Sequence, residues 1–341
     1  MLGRTVLRCI STFVILGALL PAGVVHAADI QKRTLRLSTA GNKGNPQVMG
    51  AEKFADLVRD RSGGNITVKL FPGGVLGPDI QNYSAMQGGT LDFNIGNASL
   101  LSGNVKEFAV LDFPYLFNTA EEADAIVDGP IGRKLFDKLP NRGLIGLSYF
   151  ELGFRHFNTK SRPITKAADI QGQKIRVIPT QIYVAFMNAM GANAVPMPYT
   201  ETYTALESGA IDGMTNTMLN ILDMKFYEQA KYLTLTNHMY NPQALTVSKK
   251  TWDKLSEDEK KIIQDAAAEA ALYQRRTARE ANAKAMDQLK EHGMQIVEMP
   301  AEETARLREK SKPVVEQFTK EVGPELVAEL YAEIEKVRGG K

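Results

Sequence analysis

Two arginines in predicted strands are the side chains of this sequence best suited to bind a charged molecule. Arg176 lies in the run Lys-Ile-Arg-Val-Ile, between Ile175 and Val177, and Arg155 follows a glycine in Gly-Phe-Arg-His-Phe-Asn. A short strand with apolar flanks tends to be buried, and a buried guanidinium needs a partner. The residues alone leave two partners open, which are a carboxylate of the protein itself and a bound anion.

A third candidate is Asn216, which follows an Asp-Gly turn in Ile-Asp-Gly-Met-Thr-Asn-Thr-Met. A planar guanidinium suits a carboxylate, which accepts two parallel hydrogen bonds from it, and a neighbouring amide adds a donor and an acceptor. The three side chains together would suit a small molecule that carries a carboxylate. Asn216 could equally be a helix-capping residue, and that interpretation stays open.

The sequence lacks the signatures of common enzyme and metal sites. It has no Gly-x-Ser-x-Gly, His-Glu-x-x-His, Gly-x-Gly-x-x-Gly or phosphate-binding-loop motif. His156, His238 and His292 are far apart and do not have the spacing of metal ligands. Glu201 and Glu207 stand at helical spacing, which predicts a solvated face rather than an acid–base pair. We therefore expect no metal site and no cofactor. The absence of these motifs removes the motif-based arguments for an enzyme but does not exclude catalysis.

The N-terminus has the three parts of a secretory signal peptide. Arg4 and Arg8 form a basic start, residues 10–25 are almost wholly apolar, and residues 25–27 fit the small-x-small cleavage pattern. The apolar run is shorter than the roughly 20 residues that a membrane-spanning helix needs. We predict that residues 1–27 are a signal peptide removed on export and that the mature protein is periplasmic.

Removal of this segment would change the charge and the chemistry of the chain. The sequence has 41 Lys and Arg against 39 Asp and Glu, and without Arg4 and Arg8 the numbers are 39 and 39. A chain without basic excess is not expected to bind nucleic acid. The only cysteine, Cys9, lies in the predicted signal peptide, so the mature protein would have neither a disulfide nor a catalytic thiol.

The elements that would position the candidate residues alternate between strands and helices. Strands are predicted at 34–39, 66–71, 91–95, 144–150, 155–158 and 174–178, and helices at 46–61, 79–87, 181–190, 200–207 and 324–337. This order predicts an α/β fold with a parallel or mixed sheet that helices cover on both faces. A break near Leu152 and Gly153 predicts two lobes. Ser256, with Glu259 three residues later, caps a helix predicted to end at Gly293 and to lie across both lobes.

Several motifs in these segments give the chain a resemblance to a known family. They are AEKFADLVRDRSGGNITVKLFPGGVLGPD, MQGGTLDF, LDFPYLF, DIQGQKIRV, PMPYTETYTALESGAIDG and FYEQAKYLTLTNH. Each motif is weak alone, but their order and spacing across nearly all of the predicted mature chain are specific. The sequence is identified as a member of the DctP family, the solute-binding proteins of tripartite ATP-independent periplasmic (TRAP) transporters.

The resemblance implies a two-lobe periplasmic-binding-protein fold of the α/β class, with a cleft between the lobes and a long helix that spans both. The lobes would be discontinuous in sequence. Residues 28–152 with 242–281 would form the first lobe, and residues 153–241 with 282–341 the second. The two lobes would close over the ligand by hinge bending.

The resemblance also implies roles for individual residues. The strand arginine that grips the ligand carboxylate is Arg176, and the second pocket arginine, in a Gly-x-Arg pattern, is Arg155. The pocket asparagine after the Asp-Gly turn is Asn216, and the aromatic that lines the cleft is Tyr199. This chain has Asn97 where sialic-acid-binding members have a glutamate, so an amino group on the ligand is not expected.

Two departures from the family pattern bear on the ligand. Ala40 stands where the family has an asparagine in the loop after the first strand, with Asn42 and Asn45 nearby as substitutes. The turn reads Met-Thr-Asn at 214–216, where the family usually has Gln-Glu-Asn or Ala-Glu-Asn, so a carboxylate near the pocket is missing. The cleft is therefore predicted to be rich in neutral hydrogen-bonding groups, namely Asn42, Asn45, Gln81, Asn97 and Asn216.

A cleft of this composition favours a polyhydroxylated acid, such as a uronate or an aldonate, as the ligand. The two arginines leave a C4-dicarboxylate or a 2-oxo acid as the alternative. The protein is expected to be a monomer that delivers its ligand to the small and large membrane subunits of a TRAP permease. Two other classes stay open, namely an exported enzyme on the same lobes and a sensor subunit whose partner is a receptor kinase.

Overall fold

The computed structural model describes residues 29–339. The predicted signal peptide, residues 1–27, lies outside the described residues. Within residues 29–339, no helix has the length and apolar character needed to cross a membrane.

The described chain contains eleven strands in two sheets. In chain order they are β1 (Arg33–Thr39), β2 (Ile66–Phe71), β3 (Phe93–Asn97), β4 (Leu144–Phe154), β5 (His156–Thr159), β6 (Lys174–Val177), β7 (Asn193–Pro196), β8 (Gly213–Asn216), β9 (Tyr232–Leu235), β10 (Tyr240–Ser248) and β11 (Gln295–Glu298).

The α-helices of the same residues surround these sheets. They are α1 (Pro46–Arg61), α2 (Asp79–Gly88), α3 (Ala120–Val127), α4 (Pro130–Phe136), α5 (Gln181–Ala189), α6 (Thr202–Glu207), α7 (Met218–Asp223), α8 (Lys249–Trp252), α9 (Glu257–Glu291), α10 (Ala301–Val322) and α11 (Pro324–Gly339).

Each sheet mixes parallel and antiparallel strands and forms the centre of one lobe. The first sheet has the order β2-β1-β3-β10-β4, and the second has the order β11-β9-β5-β8-β6-β7. In the first sheet β1 runs parallel to β2 and β3, whereas β10 runs antiparallel to β3 and β4. In the second sheet β6 runs parallel to β7 and β8, and β5 runs antiparallel to β8 and β9. The predicted α/β class with two lobes is confirmed.

The chain passes between the sheets several times, so each sheet is assembled from separate parts of the sequence. Strand β4 belongs to the first sheet, β5 to the second, β10 to the first and β11 to the second. Strand β4 continues to Phe154 because this residue pairs with Tyr240 at the start of β10. The break predicted near Leu152 and Gly153 therefore falls inside the end of β4. The lobe limits at residues 152, 241 and 281 stay predictions.

Helix α9 is the long helix predicted from the sequence. The hydroxyl of Ser256 accepts the N–H of Glu259, and the carboxylate of Glu259 accepts the N–H of Ser256. These two bonds satisfy donors that the helix start leaves free. The helix has 35 residues, which gives a length of about 50 Å. It packs against α1 and β4 in the first lobe and against α7 and β11 in the second, so one helix spans both lobes.

An ion-pair network joins α9 to β4. Nε and Nη2 of Arg279 donate to Oε2 of Glu151 at 3.0 and 2.6 Å, and Nη2 also donates to Asp124 at 2.7 Å. The hydroxyl of Tyr240 donates to the same Glu151 oxygen at 3.0 Å. The Glu151 side chain is only 2% exposed, and a carboxylate withdrawn this far from water depends on its charged partner.

Candidate ligand-binding cleft

A cavity lies between the two sheets and is lined by both lobes. It measures about 720 Å³, including its opening to solvent, which is in the range of sites for small molecules. Part of its wall is apolar, with Leu100, Leu152 and Ile178 among the lining residues. Its polar lining combines two arginines and one acid with neutral groups: Gln47, Asp79, Asn97, Arg155, Arg176, Tyr199, Thr200, Asn216, Asn220, Asn241 and Gln243.

Arg176 lies in an inner strand of the second sheet, next to the edge strand β7. It lies in β6 with Val195 of β7 on one side and Met214 of β8 on the other, and it is 2% exposed. Its Nε and Nη2 donate to the carbonyl of Met197 at 3.1 and 2.8 Å. Burial and the positive charge of Arg155 lower the pKa of Arg176 to about 9, so the side chain stays protonated at neutral pH.

Arg155 lies at the junction of β4 and β5 and is 1% exposed. Its backbone N–H donates to the carbonyl of Met239 at 2.8 Å, and Met239 belongs to no strand of the second sheet. Strand β5 therefore begins at His156, one residue later than predicted. Its Nη2 donates to the carbonyl and the hydroxyl of Thr215, and the guanidinium carbon lies 5.3 Å from the centroid of the Tyr183 ring. Burial lowers the pKa of Arg155, and the neighbouring Tyr183 and Asp112 oppose that effect.

Neither arginine forms an ion pair with a carboxylate among residues 29–339. The two guanidinium groups donate hydrogen bonds to the backbone carbonyls of Thr215 and Met197 and to the hydroxyl of Thr215. In both arginines, Nη1 donates no hydrogen bond to residues 29–339. A buried guanidinium without a counter-charge is costly. Two of them on one cavity, each with an unused donor group, form an arrangement that can bind an anion.

Asn216 lies beside Arg155 because β5 and β8 pair with His156 opposite Asn216. Its Oδ1 accepts the N–H of Thr217 and the Nδ2 of Asn220, each at 3.0 Å. Thr217 is the residue that caps α7, since its hydroxyl accepts the N–H of Asn220. Asn216 therefore does not have the N-cap role that the sequence left open, and it lines the cavity.

Asn97 belongs to a group of amides on the first-lobe side of the cavity. Its Oδ1 accepts the N–H of Ser99, and its Nδ2 donates to Oδ1 of Asn241 at 2.5 Å. Nε2 of Gln47 donates to Oε1 of Gln243 at 2.8 Å. Sequence reasoning missed Gln47, Asn241 and Gln243. The available signal was in β10, where two amides stand two residues apart in a strand that is buried throughout.

Asp79 is the one acid among residues 29–339 that lines the cavity, and it was also missed. As the first residue of α2 it accepts the N–H of Asn97 at 3.3 Å and the Nδ2 of Asn94 at 3.4 Å. Burial raises the pKa of Asp79 to about 6 in spite of these two bonds. The group is therefore mostly ionised at neutral pH and adds one negative charge and a hydrogen-bond acceptor to the cleft.

Tyr199 lines the cavity at a point where the lobes touch. Its hydroxyl donates to Oδ2 of Asp223 at 3.1 Å. Across the cleft, the backbone N–H of Asn42 lies 3.3 Å from both carboxylate oxygens of Asp223. Asn42 follows β1 of the first sheet and Asp223 ends α7, which packs on the second-lobe side, so Asp223 connects the two lobes.

Replacing Asp223 by alanine should weaken ligand binding by roughly tenfold, because the hydrogen bond that joins the lobes across the cleft is lost and a hydrogen bond to a charged group contributes about 1.5 kcal/mol. Calorimetric titration checks the affinity, and small-angle scattering should show a more open ligand-free protein. Asp223→Asn keeps an acceptor for the N–H of Asn42 and should lie between the two. Wild-type affinity in Asp223→Ala would exclude the connecting role.

The structure brings five of the seven predicted ligand-binding residues to one cavity. They are Arg155, Arg176, Asn97, Asn216 and Tyr199. Asn45 and Gln81 do not line it. Asn45 is the N-cap of α1, and its Oδ1 accepts the N–H of Gln47 at 2.9 Å. Gln81 is turned toward the loop at Gly77. The geometry therefore gives no support to a direct ligand contact by these two.

Residues 29–339 contain no group of three or more His, Cys, Asp or Glu side chains that could hold a metal ion.

Two histidines are buried in the second lobe. Nδ1 of His156 accepts the N–H of Thr236 at 3.2 Å, and burial lowers the pKa of His156 to about 4. Burial lowers the pKa of His238 as well, so both rings are neutral at neutral pH.

Comparison with solved structures gives close matches over almost the whole chain. A TRAP periplasmic solute-binding protein from Ochrobactrum anthropi, with its C-terminus bound in the ligand-binding pocket, is 53% identical with a TM-score of 0.82, and the match covers 92% of this chain and 98% of that one. The sugar acid binding protein DctPAm from Advenella mimigardefordensis, in complex with galactonate, is 40% identical with a TM-score of 0.89, covering 90% and 99%.

Sequence comparisons agree with these structures. The 2,3-diketo-L-gulonate-binding periplasmic protein YiaO of Escherichia coli is 32% identical over 282 residues, which are 82% of this chain and 86% of the relative. The family model for bacterial extracellular solute-binding proteins, family 7, matches residues 37–321. With this match, the two-lobe fold and the cavity between the lobes, the chain belongs to the DctP family of TRAP periplasmic solute-binding proteins.

Proposed function

We propose that this protein works in the periplasm as the solute-binding component of a TRAP transporter, where it captures an organic acid and delivers it to the membrane permease. The observation that carries the proposal is the pair of buried guanidinium groups, Arg155 and Arg176, on one cavity without a carboxylate partner in the described chain. A carboxylate of the ligand would supply the missing counter-charge.

In this mechanism Arg176 binds the carboxylate through two hydrogen bonds, Arg155 adds a second positive charge, and Asn216 fixes the orientation of the ligand. A guanidinium held by its sheet neighbours is preorganised, so little side-chain entropy is lost on binding. Closure of the lobes removes water from the cavity and strengthens each charge–charge contact, because the effective dielectric constant falls. The contact between Asn42 and Asp223 joins the two lobes across the cleft.

The favoured ligand is a sugar acid such as an aldonate or a uronate. Six neutral amides line the cavity: Gln47, Asn97, Asn216, Asn220, Asn241 and Gln243. An amide has two N–H donors and an oxygen that accepts two hydrogen bonds, so the bonds that these groups make within the chain leave capacity for hydroxyl groups of a ligand. Asp79 adds a charged acceptor for a hydroxyl. The galactonate-binding relative and the 2,3-diketo-L-gulonate-binding relative support the same class.

A C4-dicarboxylate or a 2-oxo acid is the second candidate, and the presence of two arginines favours it. Asp79 counts against a second carboxylate, since two negative charges in one low-dielectric cavity repel each other. The favoured ligand therefore carries one carboxylate and several hydroxyl groups.

Transport rather than catalysis is the proposed role, and we infer a monomer whose partner is the permease. The described residues that line the cleft include no serine, cysteine or lysine paired with a histidine, and the relatives are named as binding proteins. Mass spectrometry of the ligand released by denaturation should return the added acid unchanged. Conversion of the acid to a product would favour the exported-enzyme alternative.

A thermal-shift screen at pH 7.5 tests the ligand class, with galactonate, galacturonate, glucuronate, succinate and 2-oxoglutarate at 1 mM. A ligand with a Kd near 1 μM should add about 4 kcal/mol of stability. We expect at least one sugar acid to raise Tm more than succinate and 2-oxoglutarate do. Succinate or 2-oxoglutarate as the strongest ligand would select the second candidate, and no shift with any of the five would count against the proposal.

A further inference from the structure

A second buried acid, Asp112, lies close to Arg155 but does not line the cavity. It ends the turn Lys106–Asp112 and has no exposed surface. Its Oδ1 accepts the hydroxyl of Ser99 at 2.6 Å and the hydroxyl of Tyr183 at 3.2 Å. Its Oδ2 is buried and has no hydrogen-bond partner in the described chain. Only half of this carboxylate is therefore satisfied by the protein.

Tyr183 stands between Asp112 and Arg155. Its hydroxyl donates to Asp112, and the guanidinium of Arg155 lies 5.3 Å from the centroid of its ring. Asp112 and Arg155 share no hydrogen bond, but each charge favours the ionised form of the other. The carboxylate thus stabilises Arg155 from a distance and leaves Nη1 of Arg155 without a protein acceptor.

Burial raises the pKa of Asp112 to about 7, although Ser99, Tyr183 and Arg155 all lower it. The ionised form is kept at neutral pH partly by the charge of Arg155. An anion that binds Arg155 compensates that charge and adds a negative charge nearby. Both effects favour the protonated form of Asp112.

We propose that Asp112 is a positioning residue for Arg155, acting through Tyr183, and that its protonated fraction increases when a carboxylate ligand binds in the cleft. The affinity of the protein for organic acids then increases as the pH falls through the neutral range. This inference rests on the function proposed above and adds a proton to its binding step.

The other charged and titratable groups around this network do not supply such a proton. His156 and His238 lie near Arg155 and are neutral throughout the range, since burial lowers the pKa of each. Helix α10 packs against the same turn and places Arg308 over the ring of Tyr115, at 4.6 Å. Arg176 stays protonated below pH 8, because its pKa is lowered only to about 9.

The sign of the effect follows from the two protonation states. A bound anion raises the pKa of Asp112 above its value in the free protein by on the order of one unit. Binding is then accompanied by proton uptake near pH 7, and Kd should increase about fivefold between pH 6 and pH 8. Asp79, with a pKa of about 6, contributes at the acidic end of the range, so Asp79→Asn is measured in parallel.

The test is calorimetric titration with galactonate at pH 6, 7 and 8, or with whichever acid of the thermal-shift screen stabilises the protein most. Two buffers with different ionisation enthalpies report the number of protons taken up. Asp112→Asn keeps the acceptor for Ser99 and Tyr183 and removes the charge. Both proteins carry Asp79→Asn, which removes the contribution of Asp79. In that background we expect the Kd of the Asp112→Asn variant to vary less than twofold from pH 6 to pH 8 and to be about fivefold lower at pH 8 than that of the protein that keeps Asp112.

A purely structural role predicts the opposite result, because the variant would then bind more weakly at every pH. That outcome, or a wild-type protein that binds with constant Kd and without proton uptake, overturns the proposal. If Asp112→Asn does not fold, the proton uptake of the Asp79→Asn variant, which keeps Asp112, still decides. Tyr183→Phe keeps the ring beneath Arg155 and removes a donor to the carboxylate, so it should move the pH dependence to higher pH.

Failure of the proposed function is distinguishable from failure of this inference. If no acid in the screen binds at any pH, the proposed function fails. The inference then depends on a ligand-free measurement, the carbon-13 NMR titration of protein labelled at its aspartate carboxyls. A carboxyl signal that is lost in Asp112→Asn should titrate near pH 7, and a midpoint below pH 5 would overturn the proposal.

Discussion

Replacing Arg176 by alanine should weaken binding of the acid ligand by about 30-fold or more, because loss of a buried charge partner costs roughly 2–5 kcal/mol. Arg176 is 2% exposed, has its Nη1 free of hydrogen bonds to the described chain and lines the cavity. The ligand carboxylate would lose its paired donors and stay in a cavity from which water is excluded. Calorimetric titration with the acid that stabilises the wild type most provides the measurement.

Two further variants make this result interpretable. Arg176→Lys keeps the charge but not the planar fork, so its affinity should lie between those of alanine and arginine. Arg162 is exposed and does not line the cavity, so Arg162→Ala removes a guanidinium from the second lobe and should leave the affinity unchanged. An affinity of Arg176→Ala within threefold of wild type would rule out the carboxylate clamp.

Loss of Arg279 should have the largest effect on stability, about 2 kcal/mol for Arg279→Met, which is below the cost of breaking a fully buried ion pair because the Arg279 side chain is 34% exposed. The substitution leaves Glu151 buried between α9 and β4 with Tyr240 as its remaining donor. Burial already raises the pKa of Glu151, and Arg279 opposes that shift. Without Arg279 the pKa rises further, so the folded state binds a proton that the unfolded state releases.

The loss should therefore depend on pH. At pH 7.5 the variant must keep a buried unpaired carboxylate or protonate it, whereas at pH 5 protonation costs little and the deficit should shrink. Urea unfolding at both pH values measures this difference. The double variant Glu151→Gln with Arg279→Met should recover much of the stability at pH 7.5. Arg306→Met removes exposed pairs with Glu302 and Glu303 and should leave the urea midpoint unchanged, because exposed ion pairs contribute little to stability. An equal deficit at both pH values would contradict the assignment to Glu151.

The strands and helices that were predicted correctly have strong local signals. Residues 46–61 and 66–71 match α1 and β2 to the residue, and the capping pair Ser256 and Glu259 correctly marked the start of α9. Strands β7 to β11 were not predicted. They are short or buried throughout, so they lack the alternation of polar and apolar residues that marks a half-buried strand.

Helix α10 was also missed, and Pro313 inside it explains why. Proline removes a donor and normally ends a helix. Here the helix continues through Pro313 because Leu307, Val314 and Phe318 bury one face against α5 and the turn Lys106–Asp112. Tertiary packing outweighed the local preference.

The sequence by itself determined the residue types that a carboxylate site requires. Arg155 and Arg176 were recognised because each stands in a short apolar strand, where a guanidinium must find a partner. The motifs around them identified the family, and the ligand role that the resemblance implied for both is consistent with their position on the cavity.

Only the tertiary structure decided which residues meet at the cleft. Gln47, Asp79, Asn220 and Gln243 come from elements of both lobes that lie far apart in the sequence, and crossings between the sheets bring them together. Asn45 looked equivalent in sequence, but its side chain caps α1. The structure also showed that neither Arg155 nor Arg176 has a carboxylate partner in the described chain. An ion pair requires two charged groups to be close in space. The positions of charged residues along the sequence do not give their distances in the fold, so only the structure could show whether either arginine has a carboxylate partner.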